Sequence, residues 1–170
     1  EIRGHRVVAR VGEGGIGTVY RAEHSLLGET RAIKMLREPR RQEAALLKRF
    51  LREAKILSRL RHRNIASLYD FVRHEDGNLY LIMEWCGGET LRDKIQGRIQ
   101  RNEPFREWEI LEIMEQTAWG LEEAHRCGII HRDVSPENIM LVRSGTETVV
   151  KLIDFGIAQD RVSWEEISRL

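Results

Sequence analysis

The sequence has almost no cysteine. Cys86 and Cys127 are its only two, and they stand at no metal-ligand or disulfide spacing. That argues against a disulfide-stapled scaffold and makes buried thiols in a reducing compartment, the cytoplasm, the expectation. An excess of charge is missing too: 28 basic and 27 acidic side chains leave a net charge of +1. Neither nucleic acid nor an anionic membrane is favoured as partner, because each needs a large basic excess on one face. No apolar run approaches a membrane span, and no signal peptide opens the chain. Internal repeats, proline-rich linkers and low-complexity segments are lacking as well. What is there is 170 residues, 41% apolar, the composition of a globular core. The chain opens on Glu1 rather than methionine, so an excised piece of a longer protein is expected, with any membrane anchor lying outside it.

Residues 5–36 read as strands. "RVVARV" and "TVYRAEH" flank the turn "GEGGIG", and "RAIKML" follows the "LLGE" turn. Residues 42–61 switch to helical spacing, with Leu46, Phe50, Leu57 and Leu60 in one stripe. "NIASLYDFVRHEDGNLYLIMEW" returns to strands around an "EDGN" hairpin turn. "CGGETL" is a glycine-containing connector, and Thr90 caps a short helix over 91–99. A long amphipathic helix over 107–126 carries Ile110, Met114, Thr117, Leu121 and Ala124 on one face, and Gly128 ends it. Short strands are expected at 129–130, 139–142 and 149–153. The pattern is a strand-rich first half and a helix-led second half.

"VGEGGIGTV" sets Gly12, Gly14 and Gly17 at G-x-G-x-x-G spacing. A dinucleotide fold would place a helix straight after the glycines. Here Thr18, Val19 and Tyr20 continue as a strand, which makes a β-hairpin flap. Such a flap lets backbone N–H groups approach phosphate oxygens, although an ordinary glycine turn has the same letters. Lys34, in "AIKML", reads alone as a solvated strand lysine. Glu53 changes that reading, because it sits in the middle of the apolar stripe over 42–61. A carboxylate aimed at a core needs a cation, and the nearest upstream strand offers Lys34. A structural ion pair is one reading; a lysine held beside a flap for a nucleotide triphosphate is the favoured one.

"IIHRDVSPENIM" places Asp133 and Asn138 either side of "VSPE", and Asp154 ends the apolar strand "VVKLI". Each residue alone is an ordinary turn former. Together they supply one base and two hard oxygen ligands of the kind Mg²⁺ takes, and phosphoryl transfer needs mostly positioning and charge neutralisation.

The ordered series "GEGGIGTV", "AIK", Glu53, "HRDVSPEN", "DFG" resembles the eukaryotic-type protein kinase signature set. "LRHRNIASLYDF" and "DFGIA" resemble its bacterial Ser/Thr members. The resemblance implies an α+β, two-lobed fold: an N-lobe over 1–83, then a hinge and partial helical C-lobe over 84–170. It implies ATP and Mg²⁺ as cofactors and a protein Ser/Thr hydroxyl as acceptor. Gly12, Gly14 and Gly17 would cover the phosphates, Lys34 would hold the α- and β-phosphates, and Glu53 would pin Lys34. Asp133 would orient the acceptor hydroxyl and take its proton; Asn138 and Asp154 would bind Mg²⁺. Val11, Val19, Ala32 and Met140 would wall the adenine, with Met83 as gatekeeper and backbone groups of Glu84 and Cys86 on the base. His131, Phe155 and Leu57 would form a packed spine, and Arg132 would pair with an activation-loop phosphate.

Two departures stand out. Ser135 occupies the position where family Ser/Thr kinases usually carry a lysine; a hydroxyl donates a hydrogen bond but brings no charge. The chain also stops 14 residues after Gly156, before an A-P-E motif, which leaves apolar faces of the 107–126 helix without partners and predicts self-association. A non-catalytic nucleotide- or partner-binding module, and a small-molecule phosphotransferase of the same fold, stay open as alternatives.

Overall fold

Strand-forming residues punctuated by glycine turns build the first sheet. The computed structural model describes residues 1–14, 17–36, 54–55, 57–58, 60–75 and 77–155. Strands β1 (His5–Gly14), β2 (Gly17–His24) and β3 (Thr30–Leu36) form an antiparallel meander. Gly14 faces Gly17 across its first tip, so strand follows strand through the glycines, as expected of a flap. β4 (Leu68–Arg73) and β5 (Leu79–Glu84) complete a five-stranded sheet in the order β1-β2-β3-β5-β4. In the turn between them Gly77 takes the left-handed φ of +83° that the reversal requires.

Side chains alternate across β5 as the pleat demands. Tyr80 and Ile82 join Ile2, Ala22 and Ile33 on one face of the sheet. Leu79 and Leu81 point the other way, into a larger core that runs through Leu68 to Leu141, Val150 and Leu152. One continuous apolar cluster therefore ties the first sheet to the second half of the chain. Ala54 and Leu57 are helical and buried in it; most of the helix expected over 42–61, Glu53 included, lies outside the described residues.

Helix α1 (Leu91–Arg101) begins as expected. The Thr90 hydroxyl accepts from Asp93 N at 3.0 Å, and the Asp93 carboxylate accepts from Thr90 N. Helix α2 (Glu107–Arg126) ends at Gly128, whose φ of +74° no other residue type adopts as easily. A second sheet joins β6 (Gly88–Thr90), β7 (Ile139–Ser144) and β8 (Glu147–Leu152).

Three expectations are corrected. Ile129 and Ile130 run as irregular chain, because Ile129 N is spent on Ala124 O at the helix end. The glycine connector contributes β6, since Gly88 lies so close to Leu141 that a Cβ would meet its carbonyl oxygen at 2.1 Å. Of the face expected on α2, Ala124 is buried and Leu121 packs against the core, but Ile110 and Met114 are 45% and 62% exposed, and Gln116 and Gly120 are buried beside Ala124 instead. Trp108, Leu111 and Trp119 add to that open apolar surface. No helix among the described residues is long and apolar enough to cross a membrane.

Candidate functional site

Cross-strand register gathers the first group of site residues. Val19 pairs with Lys34, Ala32 with Met83, and Lys34 with Leu81. Directly opposed residues share a face, so Val19, Ala32, Lys34, Leu81 and Met83 lie on one side of the sheet. That is the side facing the larger core. Val11, on β1, is half exposed, and Gly12 pairs with Val19 at the flap. Met140 comes from the second sheet, where β7 pairs it with Thr90 and Lys151.

Lys34 is 14% exposed, and its Nζ donates to Asp154 Oδ1 at 2.8 Å. Its expected partner Glu53 lies outside the described residues; within them the lysine's carboxylate is Asp154. Asp154 holds a φ of +54°, the left-handed region that aspartate tolerates better than most residues. This turns the chain sharply at the end of β8.

The loop after α2 is held from beneath by His131, which is 1% exposed. Its Nε2 donates to Ile153 O at 2.9 Å, while Nδ1 accepts a long contact from Asp133 N at 3.4 Å. Burial pushes this imidazole below its ordinary range, against the Ile153 carbonyl and the charges of Asp133 and Asp154, which favour the cation. The ring packs against Phe155 with centroids 4.5 Å apart, and Phe155 shares the core with Leu57. All three side chains are buried.

Asn138 closes the loop. Its Nδ2 donates to Asp133 O at 2.9 Å and to Asp133 Oδ2 at 2.8 Å. Its own carbonyl accepts from Ile153 N at 3.0 Å, next to Asp154. A connected path therefore runs from Lys34 through Asp154 and its neighbour to Asn138 and Asp133. Ser135 caps the 3-10 turn Pro136–Asn138, and its carbonyl accepts from Asn138 N at 2.9 Å. Glu137, in the same turn, is held below the usual carboxylate range, first by Arg92, whose Nε lies 2.7 Å from its Oε1.

At the connector, Glu84 N donates to Ser67 O at 2.8 Å. The Glu84 carboxylate accepts from Ser67 N at 3.1 Å and lies 2.6 Å from Lys151 Nζ. Cys86 is buried, and burial with the Glu84 charge pushes its thiol up to about 12 against the pull of Lys151. Such a thiol is inert.

Sequence reasoning missed the partners of these residues. It found Glu84 and overlooked Lys151. It passed over Asn64 and Gln116, which form a buried network: Asn64 Nδ2 donates to Gln116 Oε1 at 2.9 Å and to Val150 O at 2.8 Å. Gln116 in turn accepts from Val150 N and donates to Thr148 O. The signal was available, because Gln116 is a polar residue on the same helical stripe as Gly120 and Ala124.

The family model described as the protein kinase domain matches residues 5–168. The serine/threonine-protein kinase pkn3 of Myxococcus xanthus is 40% identical over 156 residues, 91% of this chain and 28% of that protein. The serine/threonine-protein kinase PrkC of Bacillus subtilis is 38% identical over 154 residues, 91% of this chain and 22% of its own length. The chain thus spans less than a third of either relative. The crystal structure of the Mycobacterium tuberculosis PknI kinase domain superposes with a TM-score of 0.78 at 29% identity, covering 92% of this chain and 61% of that one. The two-lobed α+β architecture is shared, and the chain belongs to the protein kinase domain family, among its bacterial serine/threonine members.

Proposed function

We propose that this chain carries the nucleotide site of a serine/threonine protein kinase and that the whole protein transfers the γ-phosphoryl group of ATP to protein hydroxyls. The observation that carries the reading is the path Lys34–Asp154–Asn138–Asp133, which joins a lysine on the flap-bearing sheet to a carboxylate on the loop. We place the lobe boundary between Met83 and Glu84, the N-lobe over 1–83 and the hinge and C-lobe over 84–170. An ATP-dependent reaction and two free cysteines fit a cytoplasmic location.

In this reading the backbone at Gly12, Gly14 and Gly17 approaches the phosphates, and Lys34 turns from Asp154 to the α- and β-phosphates. Val11, Val19, Ala32 and Met140 enclose the base, Met83 limits its depth, and backbone groups of Glu84 and Cys86 hydrogen-bond it. Asp133 accepts the proton of the acceptor hydroxyl at a carboxylate oxygen, and Asn138 holds that carboxylate in place. Asp154 and the amide oxygen of Asn138 are hard donors that suit Mg²⁺. When bound, Mg²⁺ neutralises phosphate charge. Glu53 remains the proposed second partner of Lys34. Ser135 supplies a hydroxyl where a cation is usual, which supports a second reading, a module that binds nucleotide or a partner without turnover.

Thermal melting with Mg-ATP, with ATP alone, and in Asp154→Ala tests the site. Ligand at about 10 times Kd stabilises by about 1.4 kcal/mol, a shift of a few degrees. A Mg²⁺-dependent shift that vanishes in the variant supports the reading. No shift in a chain that still melts cooperatively counts against it. Phosphate transfer to a serine-rich polypeptide by the whole protein, reduced roughly 100-fold or more in Asp133→Asn, separates kinase from silent module.

A further inference from the structure

Glu84 is placed in the proposed site by its backbone, which leaves its carboxylate unexplained. That carboxylate faces away from β3 toward two other segments. Four contacts close a circuit around it. Glu84 N donates to Ser67 O at 2.8 Å, and Ser67 N donates back to Glu84 Oε2 at 3.1 Å. Ala66 N donates to Leu152 O at 2.9 Å, within a parallel bridge between Ile65 and Leu152. Lys151, beside Leu152, returns to Glu84 Oε1 at 2.6 Å. The hinge, the chain leading into β4, and β8 are thereby locked to one another.

Burial makes this more than a surface ion pair. Lys151 and Glu84 are 15% and 25% exposed, so salt screens the pair poorly. The backbone bonds on either side restrict both ends, which removes much of the entropy that an exposed pair must lose. Lys151 lies on β8, and Asp154 follows two residues after that strand ends at Leu152. The circuit therefore fixes the distance between the backbone proposed to hold the base and the carboxylate proposed to face the metal.

We propose that Glu84 and Lys151 are positioning residues that pre-set the spacing between the adenine end and the metal end of the nucleotide site. This rests on the nucleotide reading and goes beyond it. A ligand that touches only the hinge gains nothing from the tie. One that spans hinge and Asp154 avoids the cost of ordering the two ends against each other. Adenosine is the first kind of ligand, and a non-hydrolysable Mg-ATP analogue is the second.

The test is titration calorimetry of both ligands against the unaltered chain, Glu84→Gln, Lys151→Met and the double variant. Each single change should weaken the Mg-ATP analogue about tenfold, leave adenosine within about twofold, and the double change should lose little more than either single one. An equal loss for both ligands would show that the pair merely holds the hinge together, and would overturn the proposal. So would unchanged affinity for the Mg-ATP analogue. Should a single variant fail to fold, the double variant buries no lone charge and permits the same comparison. Failure of the unaltered chain to bind the analogue would overturn the nucleotide reading itself, and this proposal with it.

Discussion

Lys34 Nζ meets Asp154 Oδ1 at 2.8 Å across 120 residues of sequence. The contact joins the sheet that carries the glycine flap to the end of β8. Lys34→Met would leave Asp154, whose side chain is 32% exposed, without this cation. We expect a stability loss of only about 1 kcal/mol, since water still reaches the carboxylate. Stabilisation by Mg-ATP should disappear. Parallel melts with and without ligand check both halves, and retained ligand stabilisation would remove Lys34 from the site.

Gly120→Ala should destabilise, against the ordinary helix preference. In an open helix alanine gains about 1 kcal/mol over glycine. Here an added Cβ would meet Leu152 Cδ1 at 2.8 Å and Asn64 O at 2.9 Å. The backbone oxygen cannot swing aside, and overpacking of this kind costs about 1–3 kcal/mol. Urea unfolding decides the sign; a stabilised variant would show that α2 sits more loosely on β8 than the contacts indicate.

Asn64 and Gln116 should behave as one unit. Either truncated to alanine leaves Val150 backbone groups buried without a partner, at about 1–3 kcal/mol for each group left unpaired. The double variant should lose clearly less than the sum, because both act on the same strand. Strict additivity in a denaturation cycle would contradict the network.

Stability should fall on mild acidification, with His131 as one cause. Its folded-state pKa lies below the ordinary 6.5 because burial disfavours the imidazolium. The unfolded chain therefore takes up a proton that the folded chain resists. The contribution is full above about pH 6.5 and is lost as pH falls through the lowered folded value, with a slope of at most about 1.4 kcal/mol per pH unit. His131→Phe should be less stable at pH 8 yet lose less between pH 7 and 5. An unchanged pH slope would assign the effect to other histidines.

The open face of α2 predicts concentration-dependent association. Trp108, Leu111 and Trp119 lie on it, at 58%, 58% and 47% exposed. Sedimentation should show a weight-average mass rising over roughly tens of micromolar. Trp108→Glu with Trp119→Lys should suppress the rise while the circular dichroism stays unchanged. A monomer throughout that range would mean the face is better solvated than its residue types imply.

Local rules carried much of the fold into the sequence. The Thr90 cap, the stop at Gly128 and the hairpin turn at Gly77 were legible, because each depends on residues within one turn of it. The site loop was legible by spacing, since Asp133 and Asn138 lie five residues apart in a stretch too polar for the strands around it. The amphipathic stripe on α2 was legible only in part, since Leu121 and Ala124 meet the core but Ile110 and Met114 do not. Periodicity shows that a helix has an apolar side, but Gln116 and Gly120 were chosen for contact with β8, where hydrogen bonding and close approach outweigh hydropathy.

The sequence by itself determined the strand–glycine–strand flap, the two capped helices and the polar loop that carries Asp133 and Asn138. These follow from backbone preferences and short-range spacing, which act before the chain is compact. Only the tertiary structure decided that Lys34 reaches Asp154, that Glu84 turns its carboxylate to Ser67 and Lys151, and that Gln116 and Gly120 belong to the buried face of α2. Those outcomes depend on which segments the core brings together, and a charge or amide selects its partner only after burial has removed water as the alternative.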